Sequence, residues 1–140
     1  MSFHEKTAWV MGLIMVVGMI FYFNTVAAMS AGLEQLAPPV LPLVIVYVII
    51  IVVLSIAGHI LIAVSKPSEA DDTMDERDKL IAARAGNIAG FVLAVGLISA
   101  LGIYLFNYDG NLLFHAAFGA LMMSQIAEYA ARIVYYRGGV

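Results

Sequence analysis

Four long apolar runs, at residues about 8–30, 40–64, 85–106 and 112–134, alternate with short polar breaks along this chain. Each run can cross a bilayer as a helix, because a hydrocarbon core of about 30 Å takes about 20 residues at about 1.5 Å per residue. The pattern predicts an all-α protein: an integral membrane four-helix bundle, with residues 1–140 forming a single four-span domain. The first run is longer than the apolar region of a signal peptide, roughly 7–15 residues, and is read as a retained span.

The breaks differ in kind. Pro38, Pro39 and Pro42 cannot continue a helix and predict a short, stiff turn between the first two spans. The stretch Asn107-Tyr108-Asp109-Gly110-Asn111 predicts a tight turn, with Gly110 the candidate for a left-handed conformation. The connection at 65–84 is longer and holds ten of the seventeen charged residues. Within it, Thr73 and Glu76 have the spacing of a capping box, which predicts a helix start there. Asp75, Glu76 and Asp78 would then lie near the positive end of the helix dipole, and Asp75 and Lys79 would form an i,i+4 pair. With no proline from Met74 to Phe106, a continuous helix would reach about 50 Å and overshoot the bilayer. The surplus is expected to form a charged stem at about 73–84. Its charges read either as a solvated cap or as a docking handle, Asp75, Glu76, Arg77, Asp78 and Lys79, for a cytoplasmic protein.

Basic residues orient the spans, because loops rich in lysine and arginine stay cytoplasmic. Lys6, Lys66, Arg77, Lys79, Arg84, Arg132 and Arg137 all fall on one side, whereas the opposite turns carry Glu34 and Asp109 and no base. Both termini and the charged connection are therefore expected to be cytoplasmic.

Composition supports the membrane reading: 63% of the residues are hydrophobic and 12% charged, too little polar surface to cover a soluble core. The absence of cysteine removes disulfides, thiolate nucleophiles and thiolate metal sites. A net charge of -3 without a basic patch gives no reason to expect nucleic acid. The run Asp75-Glu76-Arg77-Asp78-Lys79-Leu80-Ile81, directly ahead of a glycine- and alanine-rich span, resembles the juxtamembrane motif of a group of small four-span bacterial membrane proteins of unknown function. That resemblance implies a bacterial plasma (inner) membrane.

Two sets of residues stand out inside the spans. Gly86, Gly90 and Ala94 follow a small-xxx-small spacing on the third, as do Ala116 with Ala120 and Ala127 with Ala131 on the fourth, and such faces let helices approach closely. Packing within the chain is the expectation, and packing between protomers the alternative. Polar residues are costly in lipid and often functional. His59, Asn87, Gln125 and Glu128, edged by Arg84 and Arg132, fall at one depth and are candidates for an ion, proton or ligand site. The competing expectation is that Glu128 pairs with Arg132 one turn away while His59 bonds Ser55 or a backbone carbonyl.

Cofactors are not expected. His59 and His115 lie roughly 15 Å apart in depth by helical rise, so one chain cannot offer haem two imidazoles at one level, and only His115 from two protomers would do so. Met11, Met15 and Met19 form a stripe that suits Cu(I), but flexible methionines more often fill a core. No nucleophile–base spacing, metal-ligand cluster or phosphate loop is present, so the chain is not expected to be an enzyme. The expected role is a non-enzymatic subunit, scaffold or regulator, working through helix faces and juxtamembrane contacts. Its expected partners are the lipid bilayer, a second copy or another membrane subunit, and a cytoplasmic protein at the stem. The alternative is a homo-oligomeric transporter or channel using a polar site near His59 and Glu128.

Overall fold

Proline and aspartate stop and start the helices. The computed structural model describes residues 3–65 and 74–139. They form four helices: α1 (Phe3–Ala31), α2 (Leu41–Ser65), α3 (Glu76–Asn107) and α4 (Gly110–Gly138). Lys66 and Thr73 lie outside the described residues. Pro38 and Pro39 precede α2, and Pro42 occupies its first turn, where a missing N–H costs no helical bond. At α3 the capping residue is Asp75: its carboxylate accepts from Asp78 N–H at 2.7 Å, and the Asp78 carboxylate accepts in return from Asp75 N–H at 3.3 Å. The expected Asp75–Lys79 pair does not form, because Asp75 is committed to the cap and Lys79 reaches Glu76 at 2.7 Å instead.

The turn between α3 and α4 also differs from expectation. Tyr108, not Gly110, takes the left-handed conformation, with φ 54°, and its N–H bonds Tyr104 O at 2.8 Å. Gly110 is already helical, because Asp109 caps α4 through bonds of 2.9 Å and 3.0 Å from the N–H groups of Asn111 and Leu112.

The helices pack as α1 on α2, α1 on α4 and α3 on α4, so α4 is flanked on both sides. Small residues set the closest approaches. A Cβ placed on Gly96 of α3 would lie 2.5 Å from Ala120 Cβ of α4. On Gly18 of α1 it would lie 2.5 Å from Ile51 Cδ1 of α2. The main core cluster gathers Tyr22, Val26, Tyr47 and Met122, with Met19 packed against it and Met11 buried further along α1, so this stripe lies against protein. Elsewhere the surface is apolar: Leu61 and Phe91 are each 71% exposed, as suits a protein whose surroundings are lipid.

Three helices, α1, α2 and α3, are long and apolar enough to cross a membrane, where four such spans were expected. Polar side chains, including His115, Ser124, Gln125, Glu128 and Arg132, dilute α4. Flanked by α1 and α3, that helix has protein on two sides and needs the least affinity for lipid.

Candidate functional site

One end of the molecule collects charge from three helices. Asp78 on the first turn of α3 accepts a hydrogen bond from the Tyr136 hydroxyl of α4 at 2.7 Å, and Arg77 donates to Tyr136 O at 3.3 Å. His4 Nε2 of α1 stands 3.8 Å from the other Asp78 oxygen. Arg137 donates from Nε to the buried Glu5 of α1 at 3.4 Å and lies 5.2 Å over the Trp9 ring. Burial, followed by the hydrogen bond to Asp78 and that carboxylate's charge, pushes the Tyr136 phenol above its ordinary value.

These contacts tie the first turns of α3 to α1 and α4. The overhang of α3 is matched by α1, which begins at Phe3, and by α4, which runs to Gly138, so Ile81 and Ala85 are fully buried. Of the five residues expected to form a docking handle, Asp75 caps its own helix while Arg77 and Asp78 turn to α4. Glu76 and Lys79 remain outward, with side chains 91% and 60% exposed.

Among the described residues no hydrogen bond or ion pair joins His59, Asn87, Gln125 and Glu128 to one another. Contacts of Gly58 with Val10 and of Gly12 with Tyr129 place His59 and Glu128 at similar depth, but each is bonded within its own helix. His59 is exposed on α2 and its Nδ1 donates to Ser55 O at 2.8 Å. Asn87 and Gln125 are exposed on α3 and α4. Glu128 pairs with Arg132 one turn away, and Arg132 also lies 5.5 Å over the Tyr129 ring. A carboxylate with its own guanidinium beside it has little need of His59.

The packing face of α3 is likewise rotated from expectation. Among the described residues nothing lies within 4 Å of a Cβ placed on Gly86 or Gly90, and Ala94 is exposed. Ala85, Ala89, Gly96 and Ala100 form the buried or close-packed side instead. On α4 the expected small position Ala120 is buried and is the residue that meets Gly96.

A buried polar network at the opposite end was not anticipated as a unit. His115, 3% exposed, is bonded at both ring nitrogens. Nε2 donates to Ala37 O at 2.9 Å, since a carbonyl can only accept, and in the neutral ring Nδ1 therefore accepts from the Tyr22 hydroxyl at 3.0 Å. Ala37 N–H donates to Ser30 Oγ at 2.9 Å, and Asn111 donates to Leu36 O at 3.2 Å, so α4 clamps the turn between α1 and α2. The signal for this clamp was a lone histidine inside an apolar run, but its partners lie 78 and 93 residues away.

No protein family, curated protein or solved structure matches this chain.

Proposed function

We propose that this protein is a non-enzymatic subunit, scaffold or regulator of a membrane assembly, working through the outer face of α3. Asn87 carries the reading: it is exposed on a membrane-spanning helix, beside the exposed small positions Gly86, Gly90 and Ala94. An amide facing hydrocarbon is costly, and a second helix that approaches closely over small residues relieves the cost by hydrogen bonding. The partner of this face is a transmembrane helix of another subunit or of a second copy. Glu76 and Lys79 offer a separate, charged contact to a cytoplasmic protein.

The excess of bases at the end that holds both termini favours a cytoplasmic position for that end, in a bacterial plasma membrane. A transporter built on His59 and Glu128 would require these residues to meet between copies. Co-purification after mild solubilisation tests the leading reading. Gly90→Leu and Asn87→Leu are expected to lose a stoichiometric partner, or self-association, while melting of the isolated chain is unchanged. Retention of the same assembly by both variants would sink it.

A further inference from the structure

Buried polar atoms in a folded protein nearly always have a hydrogen-bond partner. The Nε2 of His4, on the first turn of α1, is buried and has none among the described residues. It stands 3.8 Å from Asp78 Oδ2, close to that oxygen but too far for a hydrogen bond. The same oxygen accepts from Asp75 N–H at 3.3 Å, whereas Oδ1 takes the Tyr136 hydroxyl at 2.7 Å. A carboxylate offers about four acceptor sites, so Asp78 has room for another donor.

Charge decides whether His4 supplies it. In the neutral ring only one nitrogen carries a hydrogen, whereas in the protonated ring both are donors. A hydrogen bond from an imidazolium to a carboxylate is roughly twice as strong as a neutral one. The surrounding groups leave this change to His4. On α3, Asp75 caps the helix beside Asp78, and Arg77 is turned to Tyr136 O. On α4, the Tyr136 phenol is raised above its ordinary value and stays a donor to Asp78, while Arg137 is engaged by Glu5 and Arg132 by Glu128. On α1 the neighbours are Glu5 and Lys6, each with contacts of its own.

From this arrangement we propose that His4 is a pH-responsive latch between α1 and α3, two helices that both pack on α4. Protonated, the ring closes its Nε2–H onto Asp78 Oδ2 and joins α1 to α3 by a hydrogen bond. Neutral, it leaves the separation of 3.8 Å open. The first turn of α3 also carries the outward Glu76 and Lys79, so closing the latch steadies that charged surface in acid. Only the protonated form makes the new bond. Its contribution therefore grows as pH falls through the range of about 5 to 8 in which histidine gains charge, and is gone above that range. The other two histidines do not share this behaviour. A second proton on His115 would displace the bond from Tyr22, and His59 is bonded to Ser55 O within α2. The latch lies on the inner side of α3 and is independent of the proposed contact over Asn87.

Thermal melting of the full chain in zwitterionic detergent tests the latch, with the unaltered protein compared with His4→Gln at about pH 8 and about pH 5.5. The two should melt together at the higher pH. At the lower pH the unaltered protein should melt about 3 °C above the variant, the shift that one charge-assisted bond gives a chain of this size. His59 and His115 are common to both proteins, so their titration cancels in the comparison. Asp78→Asn keeps the acceptor oxygen but not the charge, and in that background His4→Gln should make no pH-dependent difference. An equal offset at both pH values would overturn the latch and leave His4 a packing residue. No offset at either pH, or an acid-side offset that survives Asp78→Asn, would overturn it too. Should Asp78→Asn fail to fold, nitrogen-15 spectra of the histidine rings decide instead. The Nε2 hydrogen of His4, assigned by its loss in His4→Gln, should be protected from exchange at the lower pH, and an unprotected one would overturn the proposal.

Discussion

The two ends of this molecule are held together by different chemistry. At the end that gathers the termini, the contacts between helices are made by charged or titratable side chains, largely buried except for Arg137: Asp78 with Tyr136, Glu5 with Arg137, and His4 beside Asp78. At the other end hydrogen bonds to side chains and backbone form the clamp, with buried His115 bonded to Tyr22 and Ala37, and half-buried Asn111 to Leu36. Contacts between charged groups respond to pH and salt, whereas a buried hydrogen-bond network is costly to leave half-made. The clamped end is therefore expected to lose more stability when one group is removed than the charged end.

The largest effect is expected from breaking the clamp. His115→Ala removes one ring that serves two buried partners, leaves Tyr22 and Ala37 unsatisfied, and opens a cavity, so detergent melting should show a loss of about 3 kcal/mol. A change below about 0.5 kcal/mol, within the range of ordinary surface substitutions, would erase the distinction between the ends. Next comes the seam that joins them. Gly96→Leu would drive a side chain into Ala120 and should cost about 2 kcal/mol, loosening both ends of the α3–α4 pair together. Similar melting for Gly96→Leu and Gly90→Leu would mean that the seam does not run where Gly96 meets Ala120.

The smallest effect belongs to the charged end. Tyr136→Phe removes one part-buried bond to a carboxylate and should cost about 1 kcal/mol at neutral pH. The phenol of Tyr136 is raised in the folded protein, so its stabilising contribution is complete below its unfolded value of about 10 and is lost as pH climbs from there toward the higher folded value. Melting of the unaltered protein should thus fall more steeply above about pH 10 than melting of Tyr136→Phe, since tyrosine ionisation in the unfolded chain draws the equilibrium that way. Parallel alkaline curves would remove Tyr136 from the clasp.

Much of this was visible in the residues themselves. Apolar run lengths and the prolines at 38, 39 and 42 announced helices and breaks, whereas the caps at Asp75 and Asp109 were not read from the residues. The pairing of Glu128 with Arg132 and the bond from His59 to Ser55 were legible because both are local, one helical turn apart. The small residues of the third run announced a close-packing helix, yet the contact falls on Ala85, Ala89 and Gly96 while Gly86, Gly90 and Ala94 look outward. Both sets have helical spacing, and the sequence does not rank them.

Position along the helix axis is a matter of counting, so the chain by itself determined how deep each polar group lies, where each helix stops and at which end the bases gather. Rotation about that axis was decided only by the tertiary structure. In a soluble helix one polar side would mark what faces outward, but here lipid and a neighbouring helix are equally apolar, and either can cover the same face. His59, Asn87 and Glu128 accordingly share a depth without meeting, whereas His115 finds Ala37 and Tyr22 across the fold. Only the packing of α4 between α1 and α3 turns those particular atoms toward one another.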